Sequence, residues 1–404
     1  MQIQTTRRTA LAFLIVVSVP AALAAQSKPR ARELGLPIGG NAGPLDAITD
    51  VAGVEVGHTT LISGSGALVV GKGPVRTGVT VVHPRGKANT DPVFGAWFTL
   101  NGNGEMTGTT WLQESGFLEG PIAITNTHSV GIVHDAILQW QVKRPGQQPW
   151  GLPVVAETYD GGLNDINGFH VKSEHVRSAL DNARGGAVPE GNVGGGTGMV
   201  CHGFKGGIGT SSRKLDAAAG GYTVGVLVQC NYGARRELRI AGVPVGEEIA
   251  DLTSCIASST ATTRRCNPPA PDSPSSDEGA GSIIIVIATD APLLPHQLKR
   301  VVTRAALAVG RMGGKGENSS GDIFIAFSTA NPRAAAGDSA VKSVSMVPNA
   351  RINSLFYATV QAAEQAIVNA MLAAETMTGA NDLRVYALPH DRLLAAMRKY
   401  GRLR

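Results

Sequence analysis

The 404-residue sequence has few aromatic residues and no apolar run that reaches the roughly 18 residues of a membrane-spanning helix. Neither the Cys-x-x-Cys nor the His-Glu-x-x-His spacing of common zinc sites occurs, so we expect neither a metal nor a cofactor. The net charge of +5 is not gathered in a basic run with interleaved aromatic residues, so nucleic-acid binding is not expected. The 51 glycines follow no fixed period, which excludes collagen-like and solenoid folds.

The first 25 residues are typical of an export signal. Arg7 and Arg8 precede the apolar run 10–19, and Ala22-Leu23-Ala24 provides a small-x-small cleavage site. We therefore expect residues 1–25 to be removed and the mature protein to be periplasmic or secreted, without a membrane anchor. The adjacent arginines leave twin-arginine export open beside the general route.

The four cysteines lie in two kinds of surroundings. Cys255 and Cys266 bound a polar segment rich in Ser and Thr, and in an oxidising compartment they can close a disulfide loop. The sequence leaves that pairing open. Cys201 and Cys230 lie in apolar surroundings and are predicted to be buried thiols.

Short apolar runs bounded by Gly-rich turns predict strands, and longer runs with helical spacing predict helices. The expected strands are 77–83, 94–100, 222–230, 282–289 and 322–328. The expected helices follow Thr127 as the capping residue, run from Pro295 to Val309, span 350–378 with Gly379 at the end, and start near Pro389. Strands alternating with helices indicate a layered α/β fold.

An abrupt junction lies between residues 281 and 282. The segment 267–281 (NPPAPDSPSSDEGAG) has the composition of an exposed linker, and SIIIVIAT (282–289) follows it directly as a buried strand. An ordinary domain boundary explains this composition. Gly281-Ser282 at the junction also fits self-cleavage, because glycine leaves its carbonyl unobstructed and serine places a hydroxyl beside it for an N-to-O acyl shift.

Four long motifs carry a family resemblance. GGGTGMVCHGFKGGIGTSSR (194–213), VLVQCNYG (226–233), GSIIIVIATDAPLLPHQLKR (281–300) and NSSGDIFIAFSTANP (318–332) resemble the L-aminopeptidase/D-esterase family typified by DmpA, to which the β-peptidyl aminopeptidases belong. The similarity runs from about Gly35 to the ALPHD segment at 387–391. The exception is 252–276, which is longer than expected for the family.

The resemblance implies an α/β fold that is a four-layer αββα sandwich, similar to the N-terminal-nucleophile hydrolases but with different strand connectivity. It also implies cleavage between Gly281 and Ser282. The products would be an α chain of residues 26–281 and a β chain of residues 282–404 that stay together, and these αβ units would assemble as a homotetramer.

The same resemblance assigns Ser282 as the nucleophile of self-cleavage and of catalysis. Its freed α-amine can act as the base, because such groups titrate near ~7.7–8.0 in model peptides. Ser320 and Asp322 would support the nucleophile, although chemistry alone does not choose Ser320 over the adjacent Ser319. Asn231 would supply a hydrogen-bond donor to the oxyanion.

Glu157 and Tyr159, in AETYDG, are implied to line the substrate pocket. Glu157 can pair with the substrate's ammonium, and Tyr159 can donate a hydrogen bond near the scissile group. His128 and His134 are expected in core or surface roles, since no Gly-x-Ser-x-Gly elbow is present. The Gly-rich run 191–209 matches neither common phosphate-binding pattern and is expected to serve close backbone packing.

The expected function is that of a self-cleaving serine aminopeptidase or amidase acting on short peptides, amino-acid amides or esters. Preference for D-, L- or β-residues stays open. The alternatives are a β-peptidyl aminopeptidase or oligoamide hydrolase of the same fold, and a secreted binding protein without activity. Related acetyltransferases typically use Thr as the nucleophile, and export argues against such a biosynthetic role.

Overall fold

The computed structural model describes residues 28–145, 150–256 and 281–403. The expected export signal, most of the linker and Cys266 lie outside the described residues. The strands are β1 Glu55–Ser63, β2 Val75–His83, β3 Val93–Thr99, β4 Phe117–Leu118, β5 Ile122–Asn126, β6 Val154–Thr158, β7 Val200–Cys201, β8 Phe204–Lys205, β9 Gly207–Lys214, β10 Thr223–Asn231, β11 Cys255–Ile256, β12 Ser282–Thr289, β13 Ile323–Ser328, β14 Met377–Thr378 and β15 Leu383–Val385. The helices are α1 Thr109–Ser115, α2 Val130–Gln141, α3 Ser173–Asp181, α4 Val245–Glu248, α5 Pro295–Thr303, α6 Ala305–Arg311, α7 Asn353–Ala373 and α8 His390–Lys399.

Two sheets lie face to face at the centre of the fold. One is four-stranded, with the order β1-β2-β5-β6, and the other is six-stranded, with the order β4-β3-β13-β12-β10-β9. A buried cluster between them combines Ile124 and Ala156 of the first sheet with Leu227 and Val286 of the second. The remaining strands form two small sheets, β11-β15-β14 and β7-β8.

Helices cover the outer face of each sheet. Helices α2 and α3 pack on the four-stranded sheet, where Ala136 and Leu180 join Val79 and Val155 in one buried cluster. Helices α5 and α7 pack on the six-stranded sheet, and α6 packs on α7. The expected four-layer αββα sandwich is therefore confirmed. Among the described residues, none of the helices is both long enough and apolar enough to cross a membrane.

Strand β12 shows why an unbroken apolar run is needed in the middle of such a sandwich. Ile283 and Ile285 face the helices, whereas Ile284 and Val286 face the other sheet. Both faces are buried, so every position of the strand between Ser282 and Thr289 is apolar. The predicted span 282–289 is confirmed.

Three helix predictions are corrected by the structure. Thr127 does not cap its helix; the Asn126 side chain does so, accepting a hydrogen bond from the backbone N–H of Ser129 at 3.0 Å. The helix that starts at Pro295 is interrupted at Arg304, between α5 and α6. Helix α7 ends at Ala373, and Gly379 instead follows β14, where a Cβ would lie 2.2 Å from the carbonyl oxygen of Leu163.

The prediction of buried thiols at Cys201 and Cys230 is wrong. The two residues are joined in a disulfide with a Cα–Cα distance of 5.5 Å. Both are buried, as the apolar surroundings predicted, but β7 and the end of β10 become neighbours only in the folded chain. Cys255 is also disulfide-bonded, and its expected partner Cys266 lies outside the described residues.

Candidate active site

The topology brings three distant segments to one end of the six-stranded sheet. Ser282 begins β12 and lies directly opposite Asn231, the last residue of the antiparallel neighbour β10. Strand β13 runs parallel to β12 and starts at Ile323, which places Asp322 at the same end. Residues that are far apart in sequence are therefore neighbours by strand order alone.

Ser282 is buried, and its hydroxyl is held by backbone. Its Oγ accepts a hydrogen bond from the N–H of Gly321 at 3.0 Å. The preceding residue, Gly281, has φ of 145°, and a Cβ built there would lie 2.0 Å from the carbonyl oxygen of Asn231. Only glycine fits this position without displacing backbone, since such a contact is far below van der Waals distance.

Ser320 and Asp322 flank Gly321 and are hydrogen-bonded to each other. Ser320 Oγ donates to Asp322 Oδ1 at 2.8 Å, and the backbone N–H of Ile283 donates to the same oxygen at 3.2 Å. Ser320 is buried whereas Ser319 is exposed, so the structure brings Ser320 to the carboxylate. Burial raises the pKa of Asp322 to about 6.

Two asparagines that the sequence did not single out hold this segment. The Oδ1 of Asn101 accepts from the backbone N–H of Asp322 at 2.6 Å, and its Nδ2 donates to the Asp322 carboxylate at 3.4 Å. Asn103 Nδ2 donates to the carbonyl of Ser319 at 2.9 Å. The available signal was NGNGE (101–105) directly after a strand, a pattern that indicates only a turn.

The side chain of Asn231 is fixed by two backbone groups. Its Oδ1 accepts from the N–H of Val200 at 2.7 Å, and its Nδ2 donates to the carbonyl of Tyr159 at 3.0 Å. A side-chain amide carries two N–H donors, so one remains for a ligand. Because directly opposed residues of an antiparallel pair place their Cβ atoms about 4.5–5.5 Å apart, this amide lies beside Ser282.

Glu157 approaches the site from the four-stranded sheet. It is 3% exposed, and its carboxylate accepts hydrogen bonds from the backbone N–H of Glu105 at 3.0 Å and from Thr127 Oγ1. A Cβ built on Gly104 would lie 3.3 Å from Glu157 Oε1 and 3.0 Å from the Cα of Gly321, so the carboxylate is close to the segment that holds Ser282. Burial raises the pKa of Glu157, and the hydrogen bond from Thr127 opposes that rise.

Tyr159 lies at the same strand end as Glu157, with its side chain exposed. Its side chain is 56% exposed and lies against Gly161, and within the described residues its hydroxyl makes no hydrogen bond. The backbone carbonyl of Tyr159 contacts the site through Asn231, and the role of its phenol in the substrate pocket stays a prediction. The other predicted residues, Ser282, Ser320, Asp322, Asn231 and Glu157, are brought together.

The remaining sequence candidates stand apart from this cluster. His128 is exposed and stacks on Phe169 at 5.8 Å between ring centroids, and His134 is half-buried on α2. The Gly-rich run does pack backbone against backbone, since a Cβ on Gly207 would lie 2.1 Å from the carbonyl oxygen of Gly191. In the part of the chain that the structure describes, no three His, Cys, Asp or Glu side chains are grouped to hold a metal ion.

Comparison with known proteins agrees with this geometry. The family Peptidase family S58 matches residues 46–385. The chain is 56% identical over 387 residues to the beta-peptidyl aminopeptidase BapA of Sphingosinicella microcystinivorans. The matched region covers 95% of this chain and 95% of that protein.

Two solved structures are similar over nearly the whole chain. One is the L-aminopeptidase D-Ala-esterase/amidase of Ochrobactrum anthropi, described as a variant of the Ntn hydrolase fold, with 47% identity, a TM-score of 0.83 and coverage of 93% of this chain and 100% of that one. The other is a beta-aminopeptidase of Burkholderia sp., with 48% identity, a TM-score of 0.80 and coverage of 92% and 99%. The chain belongs to peptidase family S58 and is a serine-type aminopeptidase with a variant of the N-terminal-nucleophile hydrolase fold.

Proposed function

We propose that the chain cuts itself between Gly281 and Ser282 and that the freed Ser282 then removes residues from the amino ends of short peptides, amino-acid amides or esters. The observation that carries this proposal is the position of Ser282 Oγ. It lies at a buried strand end, bonded to Gly321 and flanked by the Ser320–Asp322 pair and by Asn231.

Self-cleavage uses the two residues at the junction, the Ser320–Asp322 pair and water. Ser282 Oγ attacks the carbonyl carbon of Gly281, the peptide C–N bond breaks, and the hydroxyl proton ends on the nitrogen of Ser282. Ser320 and Asp322 relay that proton. Water then hydrolyses the ester, which leaves an α chain of residues 26–281 and a β chain of residues 282–404.

In the cleaved enzyme the α-amine of Ser282 serves as the general base. It takes the proton from its own Oγ as that oxygen attacks the substrate carbonyl, and the proton passes to the departing amine. The carboxylate of Asp322, held by Ser320 and by the N–H of Ile283, stabilises the ammonium form that arises in between. Water then releases the acyl group from Ser282.

Asn231 supplies the donor for the negative charge that develops on the attacked oxygen. Its amide is fixed by Val200 and Tyr159 before the substrate arrives, so it needs no reorganisation during the reaction. A donor of this kind contributes roughly 3 kcal/mol in comparable sites.

Glu157 provides the selection for a free amino end. A substrate ammonium compensates the charge of the buried Glu157 carboxylate, whereas an N-acetylated substrate brings no positive charge to it. Tyr159, exposed at the same strand end, contributes a wall of the substrate pocket.

A β-amino acid at the amino end is the second candidate substrate class. It is favoured by the 56% identity to a beta-peptidyl aminopeptidase. The test compares alanine, glycine and β-alanine p-nitroanilides with their N-acetylated forms. We expect cleavage of the free compounds alone. Equal cleavage of the blocked compounds would contradict the role of Glu157.

We further propose a periplasmic or secreted protein that assembles as a tetramer of αβ units. The Cys201–Cys230 disulfide supports an oxidising compartment. The tetrameric assembly rests on the family resemblance. Native mass spectrometry of the purified protein tests the assembly, and a monomeric αβ unit would contradict it.

A further inference from the structure

Lys205 is a buried lysine at the end of β8. Its side chain is 0% exposed, and in the described part of the chain no carboxylate forms an ion pair with it. Its Nζ instead donates to the carbonyls of Met199 at 2.7 Å, Gly206 at 2.8 Å and Gly196 at 3.4 Å. Three acceptors match the three N–H groups of an ammonium, so the surroundings are shaped for the charged form.

The bond to Met199 connects Lys205 with Asn231 through a single peptide group. The carbonyl of Met199 accepts from Lys205 Nζ and also from the backbone N–H of Gly206 at 2.9 Å. The N–H of the same peptide, on Val200, donates to Asn231 Oδ1 at 2.7 Å. Only the Met199–Val200 peptide therefore separates the ammonium from the amide beside Ser282.

A series of hydrogen bonds of this kind strengthens the last donor in the series. A cation on a carbonyl oxygen withdraws electron density from the peptide and makes its N–H a better donor. The next amide is polarised in the same way. Each hydrogen bond in such a series is strengthened by roughly 10–30% in condensed-phase estimates. Here the next amide is that of Asn231, whose Nδ2 carries the N–H groups that face Tyr159 and the active site.

We propose that Lys205 is a positioning residue for the aminopeptidase reaction, which orients and polarises the Asn231 amide through the Met199–Val200 peptide. The inference rests on the proposed role of Asn231 in binding the oxyanion.

The surroundings of Lys205 oppose its charge. Burial, together with the positive charge of Lys28, lowers the pKa of Lys205 to about 7. The cation at Lys205 is therefore held by backbone dipoles against its burial and the charge of Lys28, which is a costly arrangement for a lysine that only fills space.

The test is a double-mutant cycle on the cleaved enzyme. Lys205→Met keeps an unbranched side chain and removes the donors, and Lys205→Gln is the second variant. Asn231→Ala is the second substitution of the cycle. Asn231→Ser replaces it if the Asn231→Ala chain does not cleave itself. Lys214→Met, on the exposed end of β9, is the control. Intact mass confirms cleavage, and kcat and KM are measured with alanine p-nitroanilide on titrated active sites.

We expect Lys205→Met to lower kcat about tenfold with KM within about twofold, and Asn231→Ala to lower kcat about 100-fold. In the Asn231→Ala background, Lys205→Met should change kcat by less than about twofold, since coupled residues are not additive. If the losses in kcat from Lys205→Met and Asn231→Ala multiply in the double variant, or if Lys205→Met changes only KM, the role of Lys205 is refuted. Either result would leave the oxyanion role of Asn231 intact. Failure of both Lys205 variants to fold would do the same. Wild-type kcat in Asn231→Ala would instead refute the oxyanion role on which the inference rests.

Discussion

Asn231 and Ser282 are direct partners in the antiparallel pair of β10 and β12, and the backbone carbonyl of Asn231 lies over the residue that precedes the serine. A Cβ built on Gly281 would lie 2.0 Å from that oxygen. The residue whose side chain is the proposed oxyanion donor thus restricts position 281 to glycine through its main chain.

Gly281→Ala should therefore slow self-cleavage by about 5- to 150-fold, because the added methyl group must displace backbone, and overpacking of this kind costs about 1–3 kcal/mol. The rate is followed by gel electrophoresis after synthesis of the precursor. Gly310→Ala is the control, since a Cβ at this position on α6 meets no heavy atom within 4 Å. Wild-type cleavage of the Gly281 variant would show that the contact with Asn231 does not matter.

Self-cleavage should depend on the ionisation of Asp322. Burial raises the pKa of this carboxyl to about 6, and only the ionised form can take up a proton relayed through Ser320. A precursor refolded at acidic pH and shifted to higher pH should cleave faster as the pH rises towards about 6. The rate should level off above that value.

Asp322→Asn should abolish that dependence along with most of the rate. It keeps an oxygen that can accept from Ser320 and Ile283 but cannot take up a proton. An unchanged pH profile in this variant would remove Asp322 from the mechanism.

Glu157→Gln should lower kcat/KM for free alanine p-nitroanilide by about 10- to 100-fold, because a charge-assisted hydrogen bond to the substrate ammonium contributes about 1.5–3 kcal/mol. The loss should appear mainly in KM, and the N-acetylated compound should stay uncleaved, as with the wild-type enzyme. The matched control is Glu105→Gln, an exposed carboxylate whose backbone N–H, rather than its side chain, contacts Glu157. Equal losses in both variants would point to general electrostatics instead of a specific anchor.

The disulfide between Cys201 and Cys230 should appear as one linked pair of peptides in a non-reducing digest. It closes a loop with a sequence separation of 29, for which the chain-entropy model gives about 3.6 kcal/mol of stabilisation. Replacing both cysteines with serine should lower the free energy of unfolding by about that amount, as measured in urea. Recovery of both residues as free thiols from the native protein would contradict the pairing.

Local pattern was sufficient to predict the elements buried on both faces. Strand β12 was predicted over its full span because two apolar layers leave no polar position between Ser282 and Thr289. The end of α7 was placed too late because glycine is common just after a helix, whereas Gly379 is needed where the backbone passes close to the carbonyl of Leu163.

The site residues could be predicted from the sequence only where the family resemblance assigns them a role. The family resemblance supplied Ser282, Ser320, Asp322, Asn231 and Glu157. Asn101 and Lys205 gave no local signal, since one lies in an ordinary turn and the other is a single lysine in a Gly-rich run. Their roles depend on contacts between segments that are distant in sequence.

The most direct test of the account is the intact mass of the purified protein, together with the N-terminal sequence of each fragment. We predict two fragments from the wild-type chain, the smaller beginning Ser-Ile-Ile-Ile at Ser282, and a single inactive chain from Ser282→Ala. A wild-type protein that is active as one uncleaved chain, or a Ser282→Ala variant that still cleaves at this bond, would contradict the account.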